Sequence, residues 1–448
     1  MTAPPASTPE HLARPLTHRD ILAISVPVIL SNVTTPLVGL VDTAVIGQLG
    51  LASAMGGVAI SAMLFSLLYW TFGFLRLGTS GMTAQAYGAG EGHEIAATLQ
   101  RALLAALALG LALIALQGPI GAMGLGLMGG SPEVQAAARD YFDMRIWGAP
   151  ASFGNYALLG WLTGLGRAGR AFALQLLING LNIALAILFV LGWNWGVPGV
   201  AAATVIAEYG GLAAGLALAY PELRRRGWLA DWARLLDPAK LESTFAINAN
   251  IMIRSLCLML AFTYFTAQGA RFGDTILAAN AVLFDLFGLA AYLLDGFSQS
   301  AETFVGQAVG AKRRDRLLES VWLSSLWAGV LSFVAGGLLL AYGGAIADLM
   351  TTNAEVRAVV REFLPWAALS PVLGFAAFQL DGIFIGATRG PDMRNAMLLS
   401  LAVFLLASFW LQASYGNHGL WAALMLFLVV RGLTLGARLP ALVRESVG

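Results

Sequence analysis

Charge and cysteine are both scarce in this sequence. Of its 448 residues only 11% are Asp, Glu, Lys or Arg, against about 25% in soluble domains. The net charge of +1 leaves no basic face for a nucleic acid. The lone Cys257 excludes an intrachain disulfide and a cysteine-based metal centre. No metal site is predicted either from the histidines, which fall in a tail and loops: His11, His18, His93 and His418.

Hydrophobic residues make up 58% of the chain and are grouped in long runs. A helix needs about 20 mostly apolar residues to cross a membrane. The first run is too long for a signal peptide and has no small-residue cleavage pattern, so we expect it to be retained. The sequence predicts an all-α polytopic membrane protein with twelve spans: 21–46, 54–87, 94–117, 134–163, 170–191, 197–220, 241–267, 275–308, 316–342, 355–387, 393–415 and 418–439.

Basic residues orient these spans. By the positive-inside rule the side richer in Lys and Arg is cytoplasmic, which predicts that both termini are cytoplasmic in the inner membrane. The opposite side has Arg271 in a loop and four arginines at span entrances, Arg139, Arg145, Arg357 and Arg361. The richer side carries seventeen of the 26 Lys and Arg: Arg14, Arg19, Arg167, Arg170, Arg224, Arg225, Arg226, Arg234, Lys240, Lys312, Arg313, Arg314, Arg316, Arg389, Arg394, Arg438 and Arg444.

The two halves of the chain resemble each other at a constant shift of 222 residues. Six spans in each half enter the membrane from the same side, which predicts two six-helix lobes related by a parallel repeat. The paired glycines Gly160–Gly164 and Gly382–Gly386 are predicted to form close-packed helix faces. The predicted segments are a tail at 1–20, an N-lobe at 21–220, a cytoplasmic linker at 221–240, a C-lobe at 241–439 and a tail at 440–448.

Charged residues inside the predicted spans are functional candidates, since each costs roughly 2.5–3.5 kcal/mol to insert. Asp42 is the only charged residue between Ile21 and Ile46. A carboxylate taken out of water can bind and release a proton in the physiological range. The alternative is a carboxylate that is paired for packing or solvated at the helix end. Arg76 and Arg254 are the obvious interior cations, and the other acidic residues in the spans are Glu208, Asp285, Asp295, Glu302 and Asp381.

Three further sets of residues have two interpretations each. Pro27 cannot donate a backbone hydrogen bond, so it is either a hinge or a static kink of the first span. Asn179 and Asn182 lie one turn apart and either join helices or share in an ion site. In the C-lobe, charged residues are candidates for ion coupling or for purely structural pairing: Asp295, Glu302, Asp381 and Arg254.

Four segments in order resemble the multidrug and toxic compound extrusion (MATE) family, and look closest to its DNA-damage-inducible-protein-F-like branch. They are LVDTAVIGQLG (Leu40–Gly50), the hairpin Leu181–Tyr209, LLDGFSQSAETFVGQAVGA (Leu293–Ala311) and LDGIFIGATRGPDMRNAM (Leu380–Met397). The resemblance covers essentially the whole chain and implies a two-lobe antiporter that exchanges drugs for protons or sodium. It also implies that Asp42 is the coupling carboxylate, that the first helix bends at Pro27, and that Asn182 and Thr204 belong to the same polar network.

One departure from the family pattern concerns the coupling ion. Many members carry a second aspartate where this chain has Ala186, four residues after Asn182. Sodium prefers several oxygens and compensating negative charge, so this loss favours protons.

The predicted function is therefore a monomeric, cofactor-free, non-enzymatic exporter of small hydrophobic or cationic organic compounds in exchange for protons. A sodium-coupled exporter and a lipid-linked saccharide flippase of the same superfamily are the alternatives. The flippases usually carry extra spans and a strongly basic cavity. A membrane-embedded enzyme would need a reactive cluster, and none is visible in the sequence.

Overall fold

The computed structural model describes residues 14–226 and 235–447, and within those ranges it contains helices and turns without strands. The predicted tail residues 1–13, including His11, lie outside the described residues, as do linker residues 227–234 and Gly448. The helices are α1 His18–Gly47, α2 Ala52–Thr71, α3 Phe74–Gly88, α4 Gly92–Ala115, α5 Gln117–Met128, α6 Pro132–Arg145, α7 Ala149–Gly164, α8 Ala168–Ile187, α9 Gly196–Arg225, α10 Pro238–Ala270, α11 Asp274–Gly310, α12 Arg314–Met350, α13 Ala354–Gly386 and α14 Gly390–Val447.

The number of membrane spans depends on how two interrupted helical segments are counted: α14, and α6 followed by α7. Ten described helical segments are long and apolar enough to cross a membrane. One of them, in α14, contains a break at Gly416 (φ 55°, ψ −131°), so it consists of two helices. The helices α6 and α7 are individually short but follow one another through the 3-10 turn Ile146–Gly148. The described residues therefore form twelve spans, and the predicted all-α polytopic fold is confirmed.

The same interhelical contacts occur in both halves of the chain. Gly160 of α7 lies so close to the Arg76 carbonyl of α3 that a Cβ atom there would collide with it. A Cβ atom at Gly382 of α13 would collide in the same way with the Ser298 carbonyl of α11. Gly382 and Ser298 each lie 222 positions after their counterparts Gly160 and Arg76. One turn further, Gly164 meets the Ser80 carbonyl and Gly386 meets the Glu302 carbonyl. These four glycines form the close-packed helix faces expected from the sequence, since only a residue without Cβ admits a backbone so near.

The turns that follow these helices repeat as well. Gly90 (φ 70°) corresponds to Lys312 (φ 53°), and Gly166 (φ 73°) corresponds to Thr388 (φ 52°). All four residues have left-handed backbone, which glycine adopts freely and other residues adopt at a cost. The second half therefore keeps the turn geometry although it has lost the glycines that favour it.

Backbone proximity divides the chain into two compact units. The N-terminal unit consists of Leu30–Tyr87 and Glu91–Glu242, and the C-terminal unit consists of residues up to Ile29, Gly88–Gly90 and Ser243–Gly448. The helix α1 therefore contributes residues to both units.

Each unit has its own apolar core. In the N-terminal unit Trp161 is fully buried, and its Nε1 donates to the Ile95 carbonyl at 3.0 Å. In the C-terminal unit Trp421 is fully buried beside Phe265 and donates to Asn280 Oδ1 at 3.0 Å. The polar N–H of each buried indole is thus paired, as burial requires.

The first part of α1 is fixed within the C-terminal unit. Leu16 and Ile21 pack in a small core with Phe297 and Ala328. The Leu16 backbone N–H donates to Glu319 Oε2 at 3.0 Å, which secures the approach to the helix.

Candidate functional site

Asp42 lies five residues before the end of α1, in the part of the helix that belongs to the N-terminal unit. Its Oδ1 is buried and has no hydrogen-bond partner among the described residues. A buried carboxylate oxygen without a donor is unfavourable unless it carries a proton or meets a cation. The carboxylate of Asp42 can therefore take up one exchangeable positive charge, either a proton or another cation.

A buried ion pair lies within electrostatic range of Asp42. The guanidinium group of Arg145 binds Glu208 in a two-pronged arrangement, Nη2 to Oε1 at 2.6 Å and Nη1 to Oε2 at 2.8 Å. Its Nη1 also donates to the Tyr69 hydroxyl at 3.3 Å. The charge of Arg145 acts on Asp42, and the charge of Asp42 acts on Tyr141. We call Asp42, Arg145 and Glu208 the acidic cluster, because it has two carboxylates for one guanidinium.

Local backbone geometry positions Arg145 for this pair. Arg145 is the last residue of α6 and is followed by the 3-10 turn Ile146–Gly148. Pro150 has no backbone N–H, so a regular helix could not continue through this point without a lost hydrogen bond. A Cβ atom at Gly148 would lie 2.5 Å from Glu208 Oε2 and 2.7 Å from Arg145 Nη1. The ion pair thus occupies the space that glycine leaves.

The predicted polar network is assembled in two parts. Asn182 Nδ2 donates to Thr204 Oγ1 at 2.8 Å, which joins α8 to α9. Asn179 Nδ2 donates to Thr34 Oγ1 at 3.1 Å, which joins α8 to α1. Asn182 Oδ1 is buried and, like Asp42 Oδ1, has no hydrogen-bond partner among the described residues. Asp42 Oδ1 and Asn182 Oδ1 are thus two among several buried oxygens of the N-terminal unit that lack a hydrogen-bond partner in the described part of the chain.

Ala186 lies among apolar side chains one turn beyond Asn182. It is fully buried and packs in a small core with Phe189, Ala202 and Ala203. These side chains offer no oxygen ligand where the family pattern often has a carboxylate. Ala186 therefore contributes no side-chain oxygen at this position.

The C-terminal unit contains a cluster of the opposite charge balance. Arg254 Nη1 donates to Asp381 Oδ2 at 2.6 Å, and Arg431 Nη2 donates to the same oxygen. Arg431 Nε reaches Asp381 Oδ1 at 3.3 Å, and its guanidinium lies 5.7 Å from the centre of the Phe378 ring. We call Arg254, Asp381 and Arg431 the basic cluster. Asp381 is thus the counter-ion of two arginines.

The remaining predicted residues have separate surroundings. Asp295 Oδ2 accepts from Gln299 Nε2 at 2.6 Å on its own helix, and Glu302 is buried at 2% exposure. Of the three C-lobe carboxylates considered as partners of Arg254, the structure pairs Asp381 with it. Pro27 lies inside α1, which continues as a helix from His18 to Gly47. Two residues beyond Pro27, α1 passes from one unit to the other.

Two buried arginines were missed in the sequence. Arg145 was placed at a span entrance, but its side chain is 9% exposed and paired inside the N-terminal unit. Arg431 is 2% exposed and lies inside the last predicted span, 418–439. Their partners are 63 and 50 residues away in the chain. For Arg431 the signal is an arginine within a long apolar run, whereas α6 is rich in charged residues and gives no such signal for Arg145.

Comparison with known proteins agrees with this architecture. The MatE family model matches the chain twice, over residues 27–188 and 251–411. DNA damage-inducible protein F of Escherichia coli (strain K12) is 41% identical over 418 residues, which cover 92% of this chain and 90% of that protein. The probable multidrug resistance protein NorM of Synechococcus sp. is 27% identical over 436 residues, 92% of each protein.

A solved structure described as the outward-facing conformation of a multidrug resistance MATE family transporter has the same fold. Its TM-score is 0.84 at 18% sequence identity, with 98% of this chain and 99% of that chain covered. A duplicated twelve-span bundle with charged clusters buried inside each half defines a membrane transporter. The chain belongs to the MATE family, and it is a multi-pass membrane transporter of the multidrug and toxin efflux class rather than an enzyme.

Proposed function

We propose that this transporter exports small hydrophobic or cationic organic compounds across the inner membrane in exchange for protons. The observation that carries the proposal is Asp42, whose buried Oδ1 lacks a donor beside the Arg145–Glu208 pair. One proton on Asp42 changes the acidic cluster from two negative charges against one positive charge to a balanced pair. Occupancy by a proton thus decides whether the N-terminal unit holds an uncompensated negative charge.

Charge balance gives a physical reason for exchange. An uncompensated carboxylate in a low-dielectric interior attracts a cation, whether that cation is a proton or a positively charged substrate. Binding one of the two removes the attraction for the other. Competition of this kind at one carboxylate is a sufficient basis for antiport.

Protons, rather than sodium, are the proposed coupling ion. The apolar surroundings of Ala186 support this choice, because they remove a ligand position from the neighbourhood of Asn182. Asn182 and Thr204 then orient the helices around Asp42 rather than complete a metal shell. No resident cofactor is proposed, and the transporter is proposed to act as a monomer with both termini in the cytoplasm.

Pro27 is the proposed hinge of this mechanism. Pro27 and Asp42 are separated by fifteen positions, roughly 22 Å of helix. Pro27 leaves the carbonyl of Ala23 without its helical partner, so bending there costs little. A bend at Pro27 moves the Asp42 portion of α1 while the portion before Pro27 stays packed through Leu16 and Ile21 in the C-terminal unit.

Counter-transport in proteoliposomes tests the proposal. Purified protein is reconstituted with a fluorescent organic cation such as rhodamine 6G, and either a pH gradient or a sodium gradient is imposed. We expect accumulation driven by the pH gradient in sodium-free buffer. Transport driven by sodium at equal pH on both sides would contradict proton coupling, and no transport under either gradient would contradict exchange.

A further inference from the structure

The basic cluster has more positive than negative charge. Arg254, Asp381 and Arg431 are 8%, 6% and 2% exposed, so all three are more than nine-tenths buried. Asp381 is the one carboxylate paired with either arginine among the described residues. One positive charge is therefore left without a counter-ion inside the C-terminal unit.

The hydrogen-bonding capacity of the two arginines is also incompletely used. Arg254 Nε and Arg431 Nη1 are both buried and have no hydrogen-bond partner among the described residues. A guanidinium has five N–H donors in a fixed fork, and buried donors are normally paired. Two unpaired donor atoms on two arginines, around an excess positive charge, match the requirements of a second acceptor with one negative charge.

We propose that the basic cluster is an anion-binding site that takes one carboxylate or halide beside Asp381. The anion site itself does not depend on the proposed export function. The export function is needed only for the further step that organic carboxylates are substrates, in addition to hydrophobic and cationic compounds. Arginine suits this task because its planar fork matches carboxylate geometry. Phe378, which stacks against Arg431, supplies an adjacent apolar surface for an aromatic acid.

The location of the cluster is compatible with loading before export. Asp381 lies five residues before the end of α13 at Gly386, about 7 Å along the helix. Under the proposed orientation this end of α13 is the cytoplasmic end. An anionic substrate would therefore reach the cluster from the side on which the exporter collects its cargo.

Binding to the purified transporter, without a gradient, tests the site separately from transport. The probes are benzoate, benzylammonium and benzyl alcohol, which share a ring and differ in charge, together with chloride, each added to a zwitterionic buffer of low ionic strength. Thermal unfolding is followed by differential scanning calorimetry. We expect benzoate to raise the Tm of the natural protein, and benzylammonium and benzyl alcohol to leave it unchanged.

Chloride separates the two sources of the anion. A larger Tm rise with benzoate than with chloride assigns the site to an organic carboxylate, whereas equal rises assign it to a free inorganic anion. Both outcomes support an anion site. No rise with either anion overturns the proposal.

Substitutions locate the effect. Arg254→Gln removes the excess charge and leaves a balanced Asp381–Arg431 pair, so this variant should fold and bind benzoate at least about tenfold more weakly, as expected for a lost charged hydrogen bond. Arg101→Gln is the matched control, because Arg101 in the other unit is equally buried and its Nε also has no partner among the described residues, but its charge is balanced by Glu94 at 2.8 Å. Benzoate binding that survives Arg254→Gln, or that is lost in Arg101→Gln, would refute the assignment.

Asp42→Asn distinguishes this inference from the proposed function. The variant should lose proton-driven export while it keeps the benzoate-dependent Tm rise. The two experiments can give different results: a protein without gradient-driven transport can still bind benzoate, and a protein with gradient-driven transport can lack benzoate binding.

Discussion

The two units share a backbone arrangement but have opposite buried charge. In the N-terminal unit one guanidinium, Arg145, is paired with Glu208 and acts electrostatically on a second carboxylate, Asp42, and in the C-terminal unit two guanidinium groups bind Asp381. At the shift of 222 residues, Arg145 corresponds to Ala367 and Asp381 corresponds to Leu159. Neither cluster therefore has a counterpart at the equivalent positions of the other half. The glycine contacts occur in both halves, whereas each half has its own ionisable groups.

This comparison indicates where function is located. The two halves of a duplicated scaffold hold different buried charges, and in each cluster one charge is left over from the ion pair that forms there. The acidic cluster can gain a proton and the basic cluster can gain an anion. The following variants examine this contrast in order of decreasing expected effect.

Asp42→Asn should abolish proton-driven efflux while membrane insertion and folding are retained, because the amide keeps the shape but cannot exchange a proton. Efflux per folded molecule in an export-deficient strain measures the effect. Asp143→Asn is the control, since Asp143 is an exposed carboxylate paired with Arg139 on the same helix. Normal resistance conferred by Asp42→Asn would remove Asp42 from the mechanism.

Asp381→Asn should lower the free energy of unfolding by about 3–5 kcal/mol, because it leaves two buried guanidinium groups without a counter-ion. Arg254→Gln should change it by less than about 1 kcal/mol, since the remaining pair is balanced. Thermal unfolding of the two purified variants gives the ranking. Equal destabilisation by both would show that the excess charge is compensated by another group.

Gly160→Ala and Gly382→Ala should each destabilise the protein by about 1–3 kcal/mol, because the added Cβ collides with a backbone carbonyl. Gly180→Ala and Gly337→Ala are matched controls in the two halves, with nothing within 4 Å of the added Cβ. These controls should be neutral or more stable by about 0.5–1 kcal/mol. Unequal effects at positions 160 and 382 would break the equivalence of the two halves.

Pro27→Ala makes the first span resemble the seventh, which has Ala249 at the corresponding position. Restoring the missing hydrogen bond, worth roughly 0.5–1.5 kcal/mol, should slow turnover several-fold while substrate affinity is unchanged. Efflux per folded molecule is measured alongside binding. Lower expression with normal turnover is the result expected of a static kink and would exclude the hinge.

Lys312→Gly should raise the free energy of unfolding by at most about 1 kcal/mol, because Lys312 has left-handed backbone (φ 53°) where the first half has Gly90. The reciprocal variant Gly90→Lys should lower it by a similar amount. Denaturation of the two variants in the same detergent provides the comparison. Changes of the same sign would mean that the two turns are not equivalent.

The amino-acid sequence by itself determined the number of spans, the repeat and the glycine faces. Hydropathy over about 20 residues is a local property, and a constant shift of 222 residues is visible without coordinates. The pair of Asn182 with Thr204 was also expected from the sequence, since the family pattern placed both in one network, and the structure shows their hydrogen bond.

Only the tertiary structure decided which charges meet. The rotation of each helix about its axis depends on all its neighbours, so the partners of Arg145 and Arg431 could not be read from either helix alone. For the same reason Arg145 was expected at a span entrance, although the 3-10 turn and Gly148 place it against Glu208 in the interior. The charge balance of each cluster is a property of packing, and it is this balance, more than the count of carboxylates, that distinguishes the two halves.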